Sequence, residues 1–276
     1  MIVTLNELLP DARREGYAVG LFNTTDTDML EAVITAAEAE RSPVIIGTAE
    51  ILLPYGELKL IAPAMVAAAE RASVPVVVHY DHGLTFDRCM EALRLGFSSI
   101  MFDGSAGDPS ENVATTREVT RIAHSFGVSV EAEIGHVGNA DTTSAADRYT
   151  TVEEAVSFTE ATGVDALAIA IGTAHGAYKT APVLDLARLT EIRKAINTPL
   201  VLHGGSGLSD DDFRNCVRDG IAKVNIFTDL LQAGCRAMKE GLAAGEDYLT
   251  IRNRKVAAMC ENVRYKMKLF GCSGKA

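Results

Sequence analysis

Eight short apolar segments, nearly all separated from the next by a helical pattern, constrain the fold of this 276-residue chain more than any other feature. Several open with a proline (Pro43, Pro75 and Pro199), a residue that strands tolerate at their start. Strands that alternate with helices predict βαβ units and a parallel sheet, and eight such units predict an α/β fold, the (β/α)8 TIM barrel. The predicted strands span residues 17–23, 42–48, 74–81, 98–104, 128–135, 165–172, 198–205 and 221–227.

The domain organisation is predicted to be simple. The length allows one or two domains, but no stretch resembles a linker or a low-complexity segment, so residues 1–276 are expected to form a single domain. Residues 246–270 have a helical pattern beyond the eighth strand. We therefore expect a helical extension over residues 245–276, which caps the barrel or packs on another subunit.

Composition and charge exclude several classes of function. The net charge of −11 excludes an extended nucleic-acid surface, although a pocket of helix N-termini still binds a small anion such as phosphate. No apolar run approaches the roughly 18 residues of a membrane span, and the acidic N-terminal segment is unlike a secretory signal. The five scattered cysteines suit reduced thiols. These features predict a cytoplasmic protein with no nucleic-acid or membrane partner.

Polar residues gather where the predicted strands end, and in a TIM barrel these carboxyl ends and the loops after them form the active site. A single histidine at a strand end is usually a hydrogen-bonded structural residue, and His79 is expected to have this role. Three histidines that converge on one barrel mouth instead match the ligand set of a catalytic zinc. Asp103 and Glu133 are expected either to orient histidine rings or to cap neighbouring backbone. The polar residues are Asn23, His79, Asp81, His82, Asp103, Glu131, Glu133, His175, His203, Asn225 and Thr228.

A glycine-rich segment, "HGGSGLSDDDF", follows the seventh strand and leads to a helix that is expected to begin near Ser209. Together with "NIFTD" after the eighth strand, it lies where many such barrels bind phosphate through backbone N–H groups and helix dipoles. An ordinary strand-to-helix turn is the alternative. A nucleophile elbow is excluded because Leu208 stands where glycine is required, and the spacing of a dinucleotide fingerprint also fails.

Six segments together resemble the zinc-dependent class II ketose-bisphosphate aldolases, the fructose and tagatose bisphosphate aldolase family. In chain order these segments are "HYDHG", "DGS", "VEAEIGHVG", "AIAIGTAHGAYK", "LVLHGGSGL" and "KVNIFTDL". The resemblance covers essentially the whole chain. It implies a (β/α)8 barrel with one catalytic Zn²⁺ per subunit, a monovalent cation (Na⁺ or K⁺) near the phosphate, and a homodimer or homotetramer. The implied substrate is a small phosphorylated sugar.

The resemblance also implies a role for each matching residue. Asp81 corresponds to the acid/base that handles the C4 hydroxyl proton, and Asp141 lies nearest a second acid/base carboxylate in a mobile loop over residues 138–147. The zinc ligands correspond to His82, His175 and His203, with Asp103 and Glu133 lining the metal site. Residues that match substrate contacts, the dihydroxyacetone phosphate site and the cation site are Asn23, Gly176, Lys179, Gly204, Gly205, Ser206, Asn225 and Thr228.

The implied reaction is the reversible retro-aldol cleavage of a ketose 1-phosphate or 1,6-bisphosphate to dihydroxyacetone phosphate and an aldehyde. Two departures from the family pattern concern the substrate. Ala49, or a shifted Thr48, stands where family members carry a serine or threonine, and Phe227 replaces an aspartate of strict fructose-bisphosphate enzymes. Fructose 1,6-bisphosphate is therefore not required to be the best substrate, and Arg252 and Arg254 are candidates for binding a second phosphate.

Two alternatives remain open. A zinc-dependent hydrolase on the same barrel would share the three histidines but would not need the phosphate loops. A non-catalytic accessory subunit would be expected to have lost the metal ligands or Asp81, all of which are present.

Overall fold

The structure, a computed structural model, describes residues 1–138, 149–176, 178 and 182–276. Its parallel strands pair in chain order, and the last strand pairs with the first to close a barrel. The predicted TIM barrel is confirmed. The strands are β1 (Val19–Asn23), β2 (Val44–Ala49), β3 (Val76–Gly83), β4 (Ser99–Phe102), β5 (Ser129–Ile134), β6 (Ala166–Ile169), β7 (Leu200–Leu202) and β8 (Ile221–Ile226).

Helices connect the strands, so every strand runs in the same direction and all the carboxyl ends lie at one mouth of the barrel. One helix precedes β1, one follows each strand, and the last is the C-terminal helix. They are α1 (Leu5–Glu15), α2 (Thr27–Glu40), α3 (Leu58–Arg71), α4 (Phe86–Arg94), α5 (Pro109–Ser125), α6 (Val152–Thr162), α7 (Leu186–Ala195), α8 (Asp210–Asp219), α9 (Thr228–Ala243) and α10 (Tyr248–Phe270).

Two helix starts that the sequence predicts are observed with their capping hydrogen bonds. The Asp26 side chain accepts a hydrogen bond from the backbone N–H of Met29 at the start of α2. Ser209 and Asp212 form a capping box at the start of α8. Each cap satisfies N–H groups that the first helical turn leaves unpaired, and this fixes the residue at which each helix begins.

The strands are buried on both faces, as expected for a parallel sheet enclosed by helices. On β3 the Tyr80 ring packs edge-to-face on Phe97, with the ring centroids 5.9 Å apart, and therefore faces the surrounding helices. Because side chains alternate along a strand, His79 and Asp81 face the barrel interior. The interior near the mouth is therefore polar, while the layer between the strands and helices is apolar.

The C-terminal helix α10 packs against α2 and α9 through a buried apolar face. Ion pairs hold the same helix to α2: Lys255 contacts Asp28 at 2.5 Å, and Arg264 contacts Glu40 at 2.8 Å. The predicted helix beyond the eighth strand is thus present as a helix packed on the outside of the barrel. In the described part of the chain, no helix is both long enough and apolar enough to span a membrane.

Candidate active site

A backbone irregularity at the end of β3 places two polar side chains on the same side of the sheet. His82 has φ +43°, a left-handed conformation that is uncommon for a residue other than glycine. The pairing of β3 with β4 shifts register between Tyr80 and Gly83, so this is a β-bulge. Strict alternation would turn His82 away from Asp81, but the bulge directs both side chains towards the barrel mouth.

His82, His175 and His203, hereafter the histidine cluster, converge at this mouth from β3, the loop after β6 and the end of β7. Their ring centroids lie 4.5 Å apart for His82 and His203, 4.9 Å for His82 and His175, and 5.9 Å for His175 and His203. Nδ1 of His203 is 2.7 Å from Nε2 of His82. The structure therefore brings together the three histidines that the sequence singles out.

Each ring of the histidine cluster uses its other nitrogen for a second partner. Nδ1 of His82 contacts Oδ2 of Asp103 at 2.7 Å, and Nδ1 of His175 contacts the carbonyl oxygen of Val137 at 3.0 Å. Nε2 of His203 contacts Oε1 of Glu131 at 2.8 Å. Metal-ligating histidines are usually oriented by such outer partners, so one nitrogen of each ring is directed to the common centre. The donor set fits a catalytic zinc ion.

The charges around His82 also favour a cation. Burial disfavours the charged ring, but the carboxylates of Asp81 and Asp103 outweigh burial and raise the pKa of His82 to about 10. Burial, followed by the neighbouring rings of His82 and His203, lowers the pKa of His175 to about 3. One ring thus attracts positive charge and the other stays neutral with a free lone pair, which suits a bound divalent cation.

Asp103 and Glu133 do not share one role. Asp103 orients the His82 ring, whereas Glu133 accepts a hydrogen bond from the backbone N–H of Val137 at 2.9 Å and another from Ser105 Oγ at 3.1 Å. Burial, followed by the nearby Asp103 carboxylate, raises the pKa of Glu133 to about 8. Of the two alternatives for these carboxylates, ring orientation describes Asp103 and backbone capping describes Glu133.

Glu131 is a site residue to which sequence reasoning assigned no role. It lies on the same face of β5 as Glu133, and its carboxylate contacts His203 directly. The alternating pair of glutamates was the only sequence signal, and strand periodicity places both on the inner face without saying which one reaches a histidine. His79, by contrast, has the expected supporting role, because its Nδ1 contacts Ser99 Oγ at 2.8 Å inside the barrel.

Asp81 is almost fully buried and is held by two amides. Asn23 Nδ2 donates to Asp81 Oδ2 at 2.8 Å, and Asn225 Nδ2 donates to Asp81 Oδ1 at 3.1 Å. Burial opposes ionisation, but the positive charge of His82 and contact with His79 hold the pKa of Asp81 well below its usual range. Asp81 is therefore an oriented carboxylate. Among the described residues, Oδ1 of both asparagines is buried without a hydrogen-bond partner.

The loops after β6 and β7 form the wall of the mouth next to the histidine cluster. Gly176, Gly204 and Gly207 have φ values of +94°, +67° and +90°, a region where glycine avoids the strain of a side chain. Ser206 Oγ accepts hydrogen bonds from the backbone N–H groups of Phe227 at 3.2 Å and Asp229 at 3.4 Å. Ser206 thus ties the glycine-rich loop to the start of α9, where helix N–H groups and the dipole favour an anion.

The predicted phosphate-site residues are placed as follows. Gly204, Gly205 and Ser206 follow β7, Gly176 follows His175, and Thr228 is the first residue of α9. Lys179 and Asp141 lie outside the described residues.

Tyr178 also contributes to this wall, although sequence reasoning did not identify it. Its hydroxyl accepts a hydrogen bond from the backbone N–H of Ala174 at 2.8 Å and donates to the carbonyl oxygen of Gly204 at 2.7 Å. Ala174 precedes His175 and Gly204 follows His203. Tyr178 therefore links the two backbone segments that carry two members of the histidine cluster.

The structure bears on two expectations about substrate binding. Ala49 pairs in register with Asp81 and faces the interior, whereas Thr48 pairs with Tyr80, so Ala49 holds the position next to Asp81. Arg252 pairs with Asp28 and Glu31, and Arg254 pairs with Glu246. Both arginines are engaged by carboxylates of this chain, which argues against their availability for a second phosphate in this subunit.

Comparisons with known proteins agree with this geometry. A family profile described as "Fructose-bisphosphate aldolase class-II" matches residues 3–275. A probable fructose-bisphosphate aldolase of Bacillus subtilis is 40% identical over 283 residues, covering 100% of this chain and 99% of the relative. The 6-phospho-5-dehydro-2-deoxy-D-gluconate aldolase of the same organism is 40% identical over 281 residues, with coverage of 99% and 97%. The crystal structure of the YdjI aldolase from Escherichia coli K12 matches with a TM-score of 0.91 and 37% identity, covering 100% of both chains.

Proposed function

Because the chain belongs to the class II fructose-bisphosphate aldolase family, whose members are carbon–carbon lyases, we propose that it catalyses a reversible, metal-dependent retro-aldol reaction. The proposed substrate is a ketose 1-phosphate or 1,6-bisphosphate, and the products are dihydroxyacetone phosphate and an aldehyde. The observation that carries the proposal is the buried carboxyl group of Asp81, held by two amides beside three histidine rings whose outer nitrogens are already occupied.

His82, His175 and His203 would hold the zinc ion. When bound, the ion supplies a Lewis acid that stabilises the negative charge developing on the substrate's ketone oxygen. Asp81 takes the proton of the C4 hydroxyl while the C3–C4 bond breaks, and it returns that proton in the condensation direction. Asn23 and Asn225 hold the Asp81 carboxylate in place for this transfer. The proton that C3 needs in the cleavage direction comes from a second acid, for which we propose Asp141.

The phosphate of the dihydroxyacetone half is proposed to bind the wall formed by Gly176, Gly204, Gly205, Ser206 and Thr228. Positive-φ glycines let the backbone approach a ligand closely, and the N-terminus of α9 begins at Thr228 beside this wall. Lys179 would add a positive charge, and a monovalent cation, Na⁺ or K⁺, would bind near the phosphate. This phosphate requirement separates the aldolase from a zinc-dependent hydrolase on the same barrel.

Relatives of this chain differ in the sugar phosphate for which they are named. Two relatives with equal identity to this chain are named for different reactions, one for fructose bisphosphate and one for 6-phospho-5-dehydro-2-deoxy-D-gluconate. Ala49 adds no hydroxyl beside Asp81, and Phe227 adds no charge at the start of α9. We therefore propose that fructose 1,6-bisphosphate is not the preferred substrate.

We further propose that this single-domain enzyme works in the cytoplasm as a homodimer or homotetramer. The α9 and α10 region exposes large apolar side chains, with Leu242 66%, Tyr248 79% and Leu249 68% exposed. Exposed apolar patches are typical of contacts between subunits, and these three side chains lie within eight residues of one another along the chain. The measurement that tests the assembly is the molar mass of the zinc-loaded protein by light scattering.

The reaction is tested by a coupled assay for release of dihydroxyacetone phosphate. Zinc-loaded protein is given fructose and tagatose 1,6-bisphosphates and several ketose 1-phosphates, with and without a chelator, and Asp81→Ala serves as the inactive control. We expect chelator-sensitive release that Asp81→Ala abolishes, with a ketose other than fructose 1,6-bisphosphate cleaved fastest. If zinc-bound protein releases no product from any of these sugars, the aldolase proposal is wrong and hydrolase substrates become the next panel.

A further inference from the structure

A lysine and a glutamate form an ion pair in the barrel interior beneath the histidine cluster. Lys223 on β8 and Glu131 on β5 are both fully buried, and Lys223 Nζ lies 2.8 Å from Oε2 and 3.0 Å from Oε1 of Glu131. Removing two charges from water carries a large desolvation penalty, and an apolar pair of similar volume is often at least as stable. The ion pair therefore calls for a role other than stability.

The Glu131 carboxylate joins this lysine to one member of the histidine cluster. Its Oε1 accepts a hydrogen bond from Lys223 Nζ at 3.0 Å and faces Nε2 of His203 at 2.8 Å. Both carboxylate oxygens lie close to Lys223 Nζ, at 2.8 Å and 3.0 Å. Glu131 thus offers an acceptor to His203, and Lys223 is the cation that keeps this acceptor in place.

An acceptor at Nε2 selects one tautomer of a neutral imidazole. The proton lies on Nε2, where it is donated to Glu131, and Nδ1 keeps its lone pair. Nδ1 is the nitrogen that lies 2.7 Å from Nε2 of His82 at the common centre. The other tautomer would place a proton at that centre and would set the Nε2 lone pair against the carboxylate. Only the first tautomer offers His203 as a metal ligand.

We propose that Lys223 is a positioning residue for the metal site: it fixes the Glu131 carboxylate, which selects the His203 tautomer that presents Nδ1 to the metal. The inference rests on the metal site of the proposed function but is independent of the sugar that is cleaved. Lys223 touches neither the metal centre nor the substrate site, and it acts through two hydrogen-bonded side chains.

The test replaces Lys223 with an uncharged side chain of similar length, Lys223→Met. Two quantities are measured without any sugar: zinc affinity by competition with a chelator, and the tautomer of His203 from ¹⁵N shifts of the metal-free protein. We expect zinc affinity to fall about 10–100-fold, the range typical for loss of an outer partner of a metal ligand. The His203 signals should change from the Nε2–H form to a mixture of tautomers.

A matched control separates this role from the general loss of a buried charge. Lys266 is also buried and pairs with Asp229 at 2.7 Å, but Asp229 contacts no member of the histidine cluster in the described structure. Lys266→Met should destabilise the fold without changing the zinc affinity or the His203 tautomer. An equal loss of zinc affinity in both lysine variants would overturn the proposal.

A second variant keeps the test decisive if Lys223→Met does not fold. Replacing both partners of a buried ion pair is better tolerated than removing one, so the double variant Lys223→Met with Glu131→Gln is expected to fold. It should bind zinc no more weakly than Glu131→Gln alone, because Lys223 acts only through Glu131. Wild-type zinc affinity with an unchanged His203 tautomer, in either Lys223 variant, refutes the proposal. A wild-type protein that binds zinc but cleaves no sugar would instead contradict only the aldolase reaction.

Discussion

Gly204→Ala tests whether the contact between the loops after β6 and β7 sets the metal site. Gly204 has φ +67°, and a Cβ added there would lie 2.4 Å from the carbonyl oxygen and 2.6 Å from the carbonyl carbon of Ala174. Ordinary contacts of a Cβ atom begin near 3.4 Å, so the two backbones must separate by about 1 Å. His175 directly follows Ala174, and His203 directly precedes Gly204. The two segments that must separate therefore carry two members of the histidine cluster.

Gly163→Ala is the matched control. Gly163 has φ +68° at the end of α6, and a Cβ added there meets nothing within 4 Å. Both substitutions incur the cost of a side chain in the left-handed region, about 1–2 kcal/mol. Only Gly204→Ala adds the displacement, and a misplacement of about 1 Å at a catalytic site can lower the rate roughly 100-fold.

The assays are urea unfolding for stability, chelator competition for zinc affinity, and release of dihydroxyacetone phosphate for kcat/KM. We expect Gly163→Ala to lose about 1–2 kcal/mol of unfolding free energy while it keeps wild-type zinc affinity and activity. Gly204→Ala should lose more stability, bind zinc more weakly and show a kcat/KM about 100-fold lower. If folded Gly204→Ala matches Gly163→Ala in zinc affinity and kcat/KM, the loop contact does not position the histidines.

Three further predictions follow from single contacts. Tyr178→Phe removes the hydroxyl that bridges Ala174 and Gly204. Urea unfolding should show a loss of about 1–2 kcal/mol of unfolding free energy, and the coupled assay should show a lower kcat/KM. Unchanged activity would show that the aromatic ring alone suffices. Asp103→Asn weakens the partner of the His82 ring, and chelator competition should show zinc affinity about 10–100-fold lower, whereas unchanged affinity would contradict the orienting role. Burial opposes ionisation of Asp28 and Glu40, but contacts with Lys255, Arg252 and Arg264 outweigh it and lower the pKa of both carboxyls. Their contribution to stability is therefore complete above the unfolded pKa of about 4 and is lost as pH falls through the lower folded values. Unfolding measured against pH should become less acid-sensitive in Asp28→Asn with Glu40→Gln, and an unchanged acid slope would contradict this assignment.

The barrel could be predicted from the sequence because its signal is repeated along the whole chain. Several strand ends at the mouth were wrong. The predicted third strand stopped at Asp81, whereas β3 continues to Gly83, and the predicted strands over residues 98–104, 165–172 and 198–205 were too long, because β4, β6 and β7 end at Phe102, Ile169 and Leu202. Sequence patterns therefore do not show where strand pairing stops at the mouth of the barrel. The polar residues at the end of β3 carry the site, although the sequence pattern predicts that the strand ends at Asp81, before His82.

Other features of the site depend on tertiary geometry. The left-handed conformation of His82 arises where β3 and β4 change register, and no pattern in either strand encodes that shift alone. Glu131 and Glu133 lie on one face of β5, but only the depth of His203 decides which carboxylate meets the ring. Asn23 and Asn225 were expected to contact substrate, which stays a prediction, and barrel closure through β8 and β1 brings both amides to Asp81, a contact that the sequence did not predict.

The charges of the interior explain why the proposed metal site and the proposed phosphate site lie in different parts of one mouth. Asp81, Asp103 and Glu131 have lowered pKa values and are ionised, and Lys223 offsets one of these three charges. When His82 is neutral, as a metal ligand must be, the two remaining negative charges match a divalent cation and would repel a phosphate placed beside them. A phosphate must therefore bind away from these carboxylates, where the loop after β7 and the start of α9 offer backbone N–H groups. In the proposed reaction, this separation of charges would hold a ketose phosphate with its phosphate at the β7–β8 side and its carbonyl end towards the histidine cluster, and would place the bond to be broken next to Asp81.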